Sequence, residues 1–210
     1  MIFGVLLAGG VGSRMGNVEK PKQYMNIGDR PIIIHTIEKF FVNDKFEKIL
    51  VLCPEQWISH TKNLIKKYLG ETDRIAVMAG GTTRNETIMN AISYIEENIR
   101  YAQEYGACDT AVAATDTIVQ SEDGKVISSV PDRSKMYQGQ TPQTFRLKKL
   151  KSLYESLTDE EKKILTDAAK IFVMKGEDVY LVEGEVSNIK ITYPYDLRVA
   201  ETLIQSEQED

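Results

Sequence analysis

Cysteine and histidine are scarce, with two of each in a chain of 210 residues. Cys53 and Cys108 lie in the apolar runs ILVLC and GACDTAV without metal-ligand spacing. Isolated cysteines in such runs behave as small core hydrophobes, so neither a disulfide framework nor a zinc site is expected. His35, inside PIIIHTIEKF, reads as a helix residue rather than a catalyst. Long apolar runs are missing too, and none reaches the ~20 residues of a membrane-spanning helix. The opening MIFGVLLAGG is apolar but short and lacks a basic leader, which fits a buried first strand better than a targeting segment. Positive charge is not in excess: the formal net charge of -5 argues against broad nucleic-acid binding. These absences predict a soluble, reduced, cytoplasmic protein with neither a membrane nor a nucleic acid as partner.

Hydrophobic residues make up 42% and charged residues 27%, the balance of a folded globular chain rather than a disordered one. No internal repeat or low-complexity linker divides it, and the length suits one α/β domain over residues 1–210. The continuous apolar run 2–7, ending at Gly9-Gly10, has the profile of a central parallel strand entering a loop. Pro31 opens a helix to about 41, since proline suits the first helical turn. A strand over 48–53, a helix over 55–69, a strand over 74–78 and a helix from about Thr83 follow. Residues 109–119 return to strand character. This alternation implies a mostly parallel sheet with helices on both faces. Ligands bind beyond the carboxyl ends of such strands, so the glycine loops after the first and third strands should share a rim.

The second half is less regular. Residues 131–145 (PDRSKMYQGQTPQTF) lack a helical period and read as a loop or projecting arm. Thr158-Asp159-Glu160-Glu161 is a capping-box pattern for a helix to about Ala169. Short strands are expected over 179–182 and 189–192. Pro194 opens a final helix, whose acidic end over 206–210 should fray.

Two local patterns carry chemistry. Leu7-Ala8-Gly9-Gly10-Val11-Gly12-Ser13-Arg14-Met15-Gly16 follows the first strand directly. Its glycines let backbone N–H groups approach a phosphate chain, and Arg14 adds a planar fork of donors. It is neither a Walker loop nor a dinucleotide fingerprint, because the lysine-serine/threonine pair and the glycine spacing are both absent. Pro21-Lys22-Gln23-Tyr24 then offers a second cation beside a rigid proline.

In sequence, L-A-G-G-x-G-x-R-M-G followed by P-K-Q resembles the sugar-phosphate nucleotidyltransferases, and within them the cytidylyltransferase branch of methylerythritol-4-phosphate and ribitol-5-phosphate enzymes. Gly80-Gly81-Thr82-Thr83-Arg84-Asn85-Glu86-Thr87 resembles the family's G-G-x-x-R-x-x-[S/T]. Tyr137 to Phe145 contains T-P-Q-x-F, while Leu165-Thr166-Asp167-Ala168 and Asn188-Ile189-Lys190-Ile191-Thr192 resemble its late motifs. The likeness runs essentially end to end. It implies a single-domain Rossmann-like nucleotidyltransferase fold that joins CTP to a polyol phosphate and releases pyrophosphate, with Mg²⁺ or another divalent cation as cofactor. It further implies catalytic roles for Arg14, Lys22 and Lys190. Nucleotide binding falls to Leu7, Ala8, Gly9, Gly10, Gly12, Ser13, Gly80, Arg84 and Thr87, and acceptor binding to Thr166, Asp167 and Thr192. Family members exchange an arm across a two-fold axis, which implies a homodimer through 131–145. The Q-G-Q-T-P-Q, L-T-D-A and D-T-I-V stretches resemble the ribitol-5-phosphate enzymes, which supply CDP-ribitol for cell-wall teichoic acid. The methylerythritol enzymes of isoprenoid synthesis share the catalytic motifs.

One family motif is absent. Between the G-G-x-x-R helix and the D-T-I-V strand the family carries D-[A/S]-[V/A]-R-P, whose Asp holds the metal; no D-x-x-R-P occurs here. Residues 84–105 instead run as one helical pattern, with the join near Glu96-Glu97-Asn98. A strand, a loop and part of a helix are missing, roughly two dozen residues on typical element lengths. Their loss predicts weakened or absent activity and leaves the metal ligands unassigned, with Asp109 and Asp116 the nearest acids on the following strand.

Overall fold

The computed structural model describes residues 2–10, 13–15, 20–81 and 107–209. The chain groups into two compact units. Unit 1 comprises residues 1–104, 155–165 and 191–210, and unit 2 comprises 105–154 and 166–190.

Unit 1 is built on three parallel strands in the order β1 (Ile2–Leu7), β4 (Phe46–Cys53), β5 (Ile75–Ala79). Ile49 to Cys53 are fully buried. A strand covered on both faces must be apolar at every position, which is why ILVLC shows no alternation. A small hairpin, β2 (Asn26–Ile27) with β3 (Arg30–Pro31), leads into α1 (Ile32–Phe41). Pro31 sits at the N-cap in extended conformation, so the helix starts one residue later than the proline alone suggests. Ile33, Ile34 and Ile37 fill the core beneath the sheet. Gly4 has a packing reason: a Cβ there would come 3.2 Å from the ring of Phe40, which stands edge-on to Phe46 at 5.0 Å.

The expected helix over 55–69 resolves into a single 3-10 turn, Glu55–Trp57, and α2 (Ile58–Leu69). Gly70, with φ +80°, terminates α2 in a conformation that side-chain-bearing residues avoid. Beneath α2, the Tyr24 hydroxyl meets Thr61 Oγ1 at 2.8 Å, and the Tyr24 ring stacks on Trp57 at 4.4 Å. Burial pushes the Tyr24 phenol up to about 12.

Unit 2 holds a mixed sheet in the order β7 (Tyr137–Thr144), β6 (Cys108–Ala113), β8 (Tyr180–Glu183), with β7 antiparallel and β8 parallel to β6. Three expectations are corrected here. The strand expected over 109–119 ends at Ala113. The stretch 131–145 is not a loop: after a 3-10 turn at Arg133–Lys135 it forms β7. Its polar composition reflects exposure, since most of its side chains face solvent. No strand forms over 189–192 among the described residues.

The helices are α3 (Leu147–Glu155), α4 (Asp159–Lys163), α5 (Ala169–Met174) and α6 (Pro194–Glu209). The Thr158 capping box is present, with Glu161 N bonded to Thr158 Oγ1 and Thr158 N to Glu161 Oε2. Yet the helix it starts ends at Lys163, well short of Ala169, and Asp167 opens a second one by accepting from Lys170 N at 3.0 Å. The last helix stays helical to Glu209, against the fraying expected over 206–210. The helix expected from Thr83 lies outside the described residues.

Candidate active site

The rim that the sequence predicts is present in unit 1. Because β1, β4 and β5 are parallel, their carboxyl ends lie at one edge. Ala8 N donates to Leu52 O at 2.7 Å, and Gly80 N donates to Cys53 O at 2.9 Å. The two glycine loops therefore leave the sheet on either side of the end of β4. Cβ atoms built at Gly9 and Gly10 would meet nothing within 4 Å. Packing does not demand glycine there; the open backbone is what a phosphate chain could approach.

Gln23 closes the loop at its base. Its buried carboxamide donates to Ala8 O at 2.6 Å. That bond ties Pro21-Lys22-Gln23 to the start of the glycine loop and sets Lys22, in the 3-10 turn Lys22–Tyr24, beside it. The bond from Gln23 is the physical link between two patterns that stand apart in the sequence.

Lys22 also reaches a stretch distant in sequence. Its ammonium donates to Ile191 O, and its positive charge acts on Asp196. Asp196 Oδ2 accepts from Tyr193 N and Thr192 N, both at 2.7 Å. Those backbone donors, with Lys22 adding to them, hold the Asp196 carboxyl below the usual carboxylate range. Arg14, exposed in the turn Ser13–Met15, places its guanidinium 5.9 Å from the Tyr193 ring centre, within cation–π range. Arg14, Lys22 and Thr192 thus belong to one neighbourhood, in which Tyr193 and Asp196 are members that motif reading missed. A signal existed: Pro194 at the first helical position with an acid two residues on is a helix-start pattern, and that acid reaches back to the N-terminal amides.

Unit 2 holds Thr166, Asp167 and Lys190. Asp109 Oδ2 accepts from Gln143 Nε2 at 2.9 Å, while its Oδ1 is buried and has no partner among the described residues. Burial, and then the charge of Asp167, push the Asp109 carboxyl above its ordinary range against the opposing bond from Gln143. Gly12, Arg84 and Thr87 lie outside the described residues.

Among the described residues no three carboxylate, imidazole or thiolate side chains gather into a metal-binding group. The described acids do not make a ligand set for a divalent cation.

Comparison with known proteins finds similarity in family and in fold. The family model for 2-C-methyl-D-erythritol 4-phosphate cytidylyltransferase matches residues 2–102 and 95–206. The two stretches overlap at 95–102, where the chain lacks the D-x-x-R-P segment. Among solved structures, the 4-diphosphocytidyl-2C-methyl-D-erythritol synthase of Anaerococcus prevotii superposes with a TM-score of 0.74 at 23% identity, covering 97% of this chain and 95% of that one. The 2-C-methyl-D-erythritol 4-phosphate cytidylyltransferase of Francisella tularensis gives 0.73 at 25% identity, covering 95% and 98%. The same-named protein of Thermus thermophilus gives 0.68 at 23%, covering 98% and 100%.

Proposed function

The chain belongs to the 2-C-methyl-D-erythritol 4-phosphate cytidylyltransferase family and is a CTP-dependent nucleotidyltransferase, and from that premise we propose that it transfers CMP to D-ribitol 5-phosphate. The observation that carries the nucleotide half of this reading is the rim at the end of β4, where the Gly9-Gly10 loop, Gly80 and the Gln23-held Lys22 turn converge. The acceptor half rests on the Q-G-Q-T-P-Q, L-T-D-A and D-T-I-V stretches.

The reaction needs charge management rather than covalent catalysis. An acceptor phosphate oxygen bonds to the α-phosphorus in line with the bridging oxygen. That bridging bond breaks, and pyrophosphate leaves with the electron pair. Negative charge builds on the α-phosphate oxygens and on the leaving group, where Arg14 and Lys22 neutralise it. Lys190 assists between the reacting phosphates. Backbone N–H groups of Gly9, Gly10, Gly12 and Ser13 line the triphosphate, with Leu7 and Ala8 setting where the loop leaves the strand. Gly80, Arg84 and Thr87 brace the cytosine and ribose, and Thr166, Asp167 and Thr192 position the acceptor. Mg²⁺, or another divalent cation, is the cofactor we propose for the nucleotide phosphates, within a single domain spanning 1–210.

A second acceptor has separate support: the solved relatives carry names of methylerythritol enzymes. One assay separates the two. Pyrophosphate release is followed with CTP, Mg²⁺ and each acceptor in turn; ribitol 5-phosphate turning over no faster than methylerythritol 4-phosphate overturns the first reading. The missing D-x-x-R-P segment favours a third reading, a CTP-binding protein of impaired catalysis. Calorimetric CTP binding without pyrophosphate release from either acceptor selects it.

We also propose a homodimer through 131–145. In unit 2, Tyr137, Leu181, Val182 and Val186 are exposed and line one open groove, an apolar surface suited to a second copy. Analytical ultracentrifugation at micromolar concentration should give about twice the chain mass, and a monomer throughout sinks this part.

A further inference from the structure

Between Asp109 and Ala111 the register of β6 against β7 shifts. Asp109 pairs with Gln143 and Ala111 with Gly139, so Thr110 alone faces Gln140, Thr141 and Pro142. The surplus residues bulge out of the ladder, the device by which strands re-aim side chains near functional sites. Three bonds leave this bulge. Gln140 Nε2 donates to Glu185 O at 2.7 Å and to Asn188 O at 3.2 Å, and Asn188 Nδ2 donates back to Thr141 O at 2.9 Å. Both atoms facing the Gln140 amide nitrogen are carbonyl oxygens, so the carboxamide has only one workable orientation.

Opposite this amide stands Gly184, whose N bonds to Ala111 O at 2.9 Å. A Cβ at Gly184 would overlap Gln140 Oε1. The missing side chain is the space that the carboxamide occupies. The bulge, the glycine and the 184–188 turn therefore form one lock, and Asn188-Ile189-Lys190 leaves directly from it.

We infer that Gln140 is a positioning residue for Lys190: its carboxamide clamps the 185–188 turn to the β7 bulge and so fixes where the lysine stands when CTP is bound. The inference rests on the reading of Lys190 as a cation at the reacting phosphates. Gln140 itself touches no substrate.

The test is the acylation rate of Lys190 by acetic anhydride, mapped by mass spectrometry on the full chain with and without CTP and Mg²⁺. In the wild type CTP slows acylation of Lys190. In Gln140→Leu the slowing is lost or sharply reduced at saturating CTP, while the thermal unfolding midpoint shows the fold intact. Gly184→Ala reaches the same lock from the other side and gives the same loss; it also stands in if Gln140→Leu folds poorly. Undiminished protection in both variants overturns the inference while leaving Lys190 its role. Absence of protection in the wild type overturns the reading of Lys190 and the inference with it. Where turnover is measurable, Gln140→Leu lowers kcat by about a hundredfold, as an ångström-scale misplacement does, with the KM for CTP little changed. In a Lys190→Met background it has no further effect, and additive losses there overturn the inference.

Discussion

The ammonium of Lys22 donates to the main-chain carbonyl of Ile191, 169 positions later in the chain. A cation from the turn after the glycine loop is thereby held beside the segment that carries Tyr193 and Asp196.

Lys22→Ala should lower kcat by about two to three powers of ten, the cost of removing one donor to developing negative charge. CTP binding by calorimetry should survive, since the glycine-loop amides remain. Near-normal turnover in this variant would remove Lys22 from the mechanism.

Asp196→Asn should change stability in acid. The folded-state pKa of Asp196 lies below its ordinary 3.8. Its stabilisation is therefore fully present above that value and fades as pH falls through the lower folded value. Denaturant midpoints for wild type and variant should differ at pH 6 and converge toward pH 2. A constant gap across that range would refute the assignment.

Asp109 has the opposite sign. Its folded-state pKa is raised above 3.8, so ionisation opposes folding, and stability declines as pH rises from 3.8 through the folded value. Asp109→Asn keeps an oxygen for Gln143 Nε2 and removes the charge. The variant should be more stable than wild type at pH 7, with the gain disappearing below pH 3; a loss at pH 7 contradicts this.

Tyr24→Phe should cost about 1 kcal/mol, the net worth of a typical hydrogen bond. The cost stays modest because Thr61 Oγ1 still donates to Trp57 O at 2.8 Å. A loss several times larger in chemical unfolding would show that the hydroxyl supports more than Thr61.

The parallel half of the fold was legible because burial on both faces leaves a plain mark. The run Ile49-Leu50-Val51-Leu52-Cys53 has no polar residue to place in solvent, and the glycines that follow β1 and β5 stand where a parallel sheet puts ligand loops. The β7 strand was illegible for the complementary reason. Tyr137-Gln138-Gly139-Gln140-Thr141-Pro142 carries neither alternation nor an apolar face, because its partner β6 covers one edge and solvent most of the rest. The break between α4 and α5 was hidden as well, since a capping box states where a helix begins and nothing about where it stops. At the site, Arg14 could be picked out by charge beside glycine, and Lys22 by charge beside a rigid proline. Gln23, Gln140 and Asp196 could not, because their importance lies in backbone carbonyls and amides that only the fold brings within reach.

Unit 1 is drawn from three separated stretches, with 105–154 and 166–190 belonging to unit 2. That interleaving sets an order on biosynthesis. The glycine loop and Lys22 leave the ribosome well before the carbonyl that holds Lys22 and the amides that hold Asp196. Strands β1, β4 and β5 can pair during translation, but the cationic turn must wait until residues 191–196 are made. A nascent chain stalled before residue 191 would carry a formed sheet and a Lys22 turn not yet tied down.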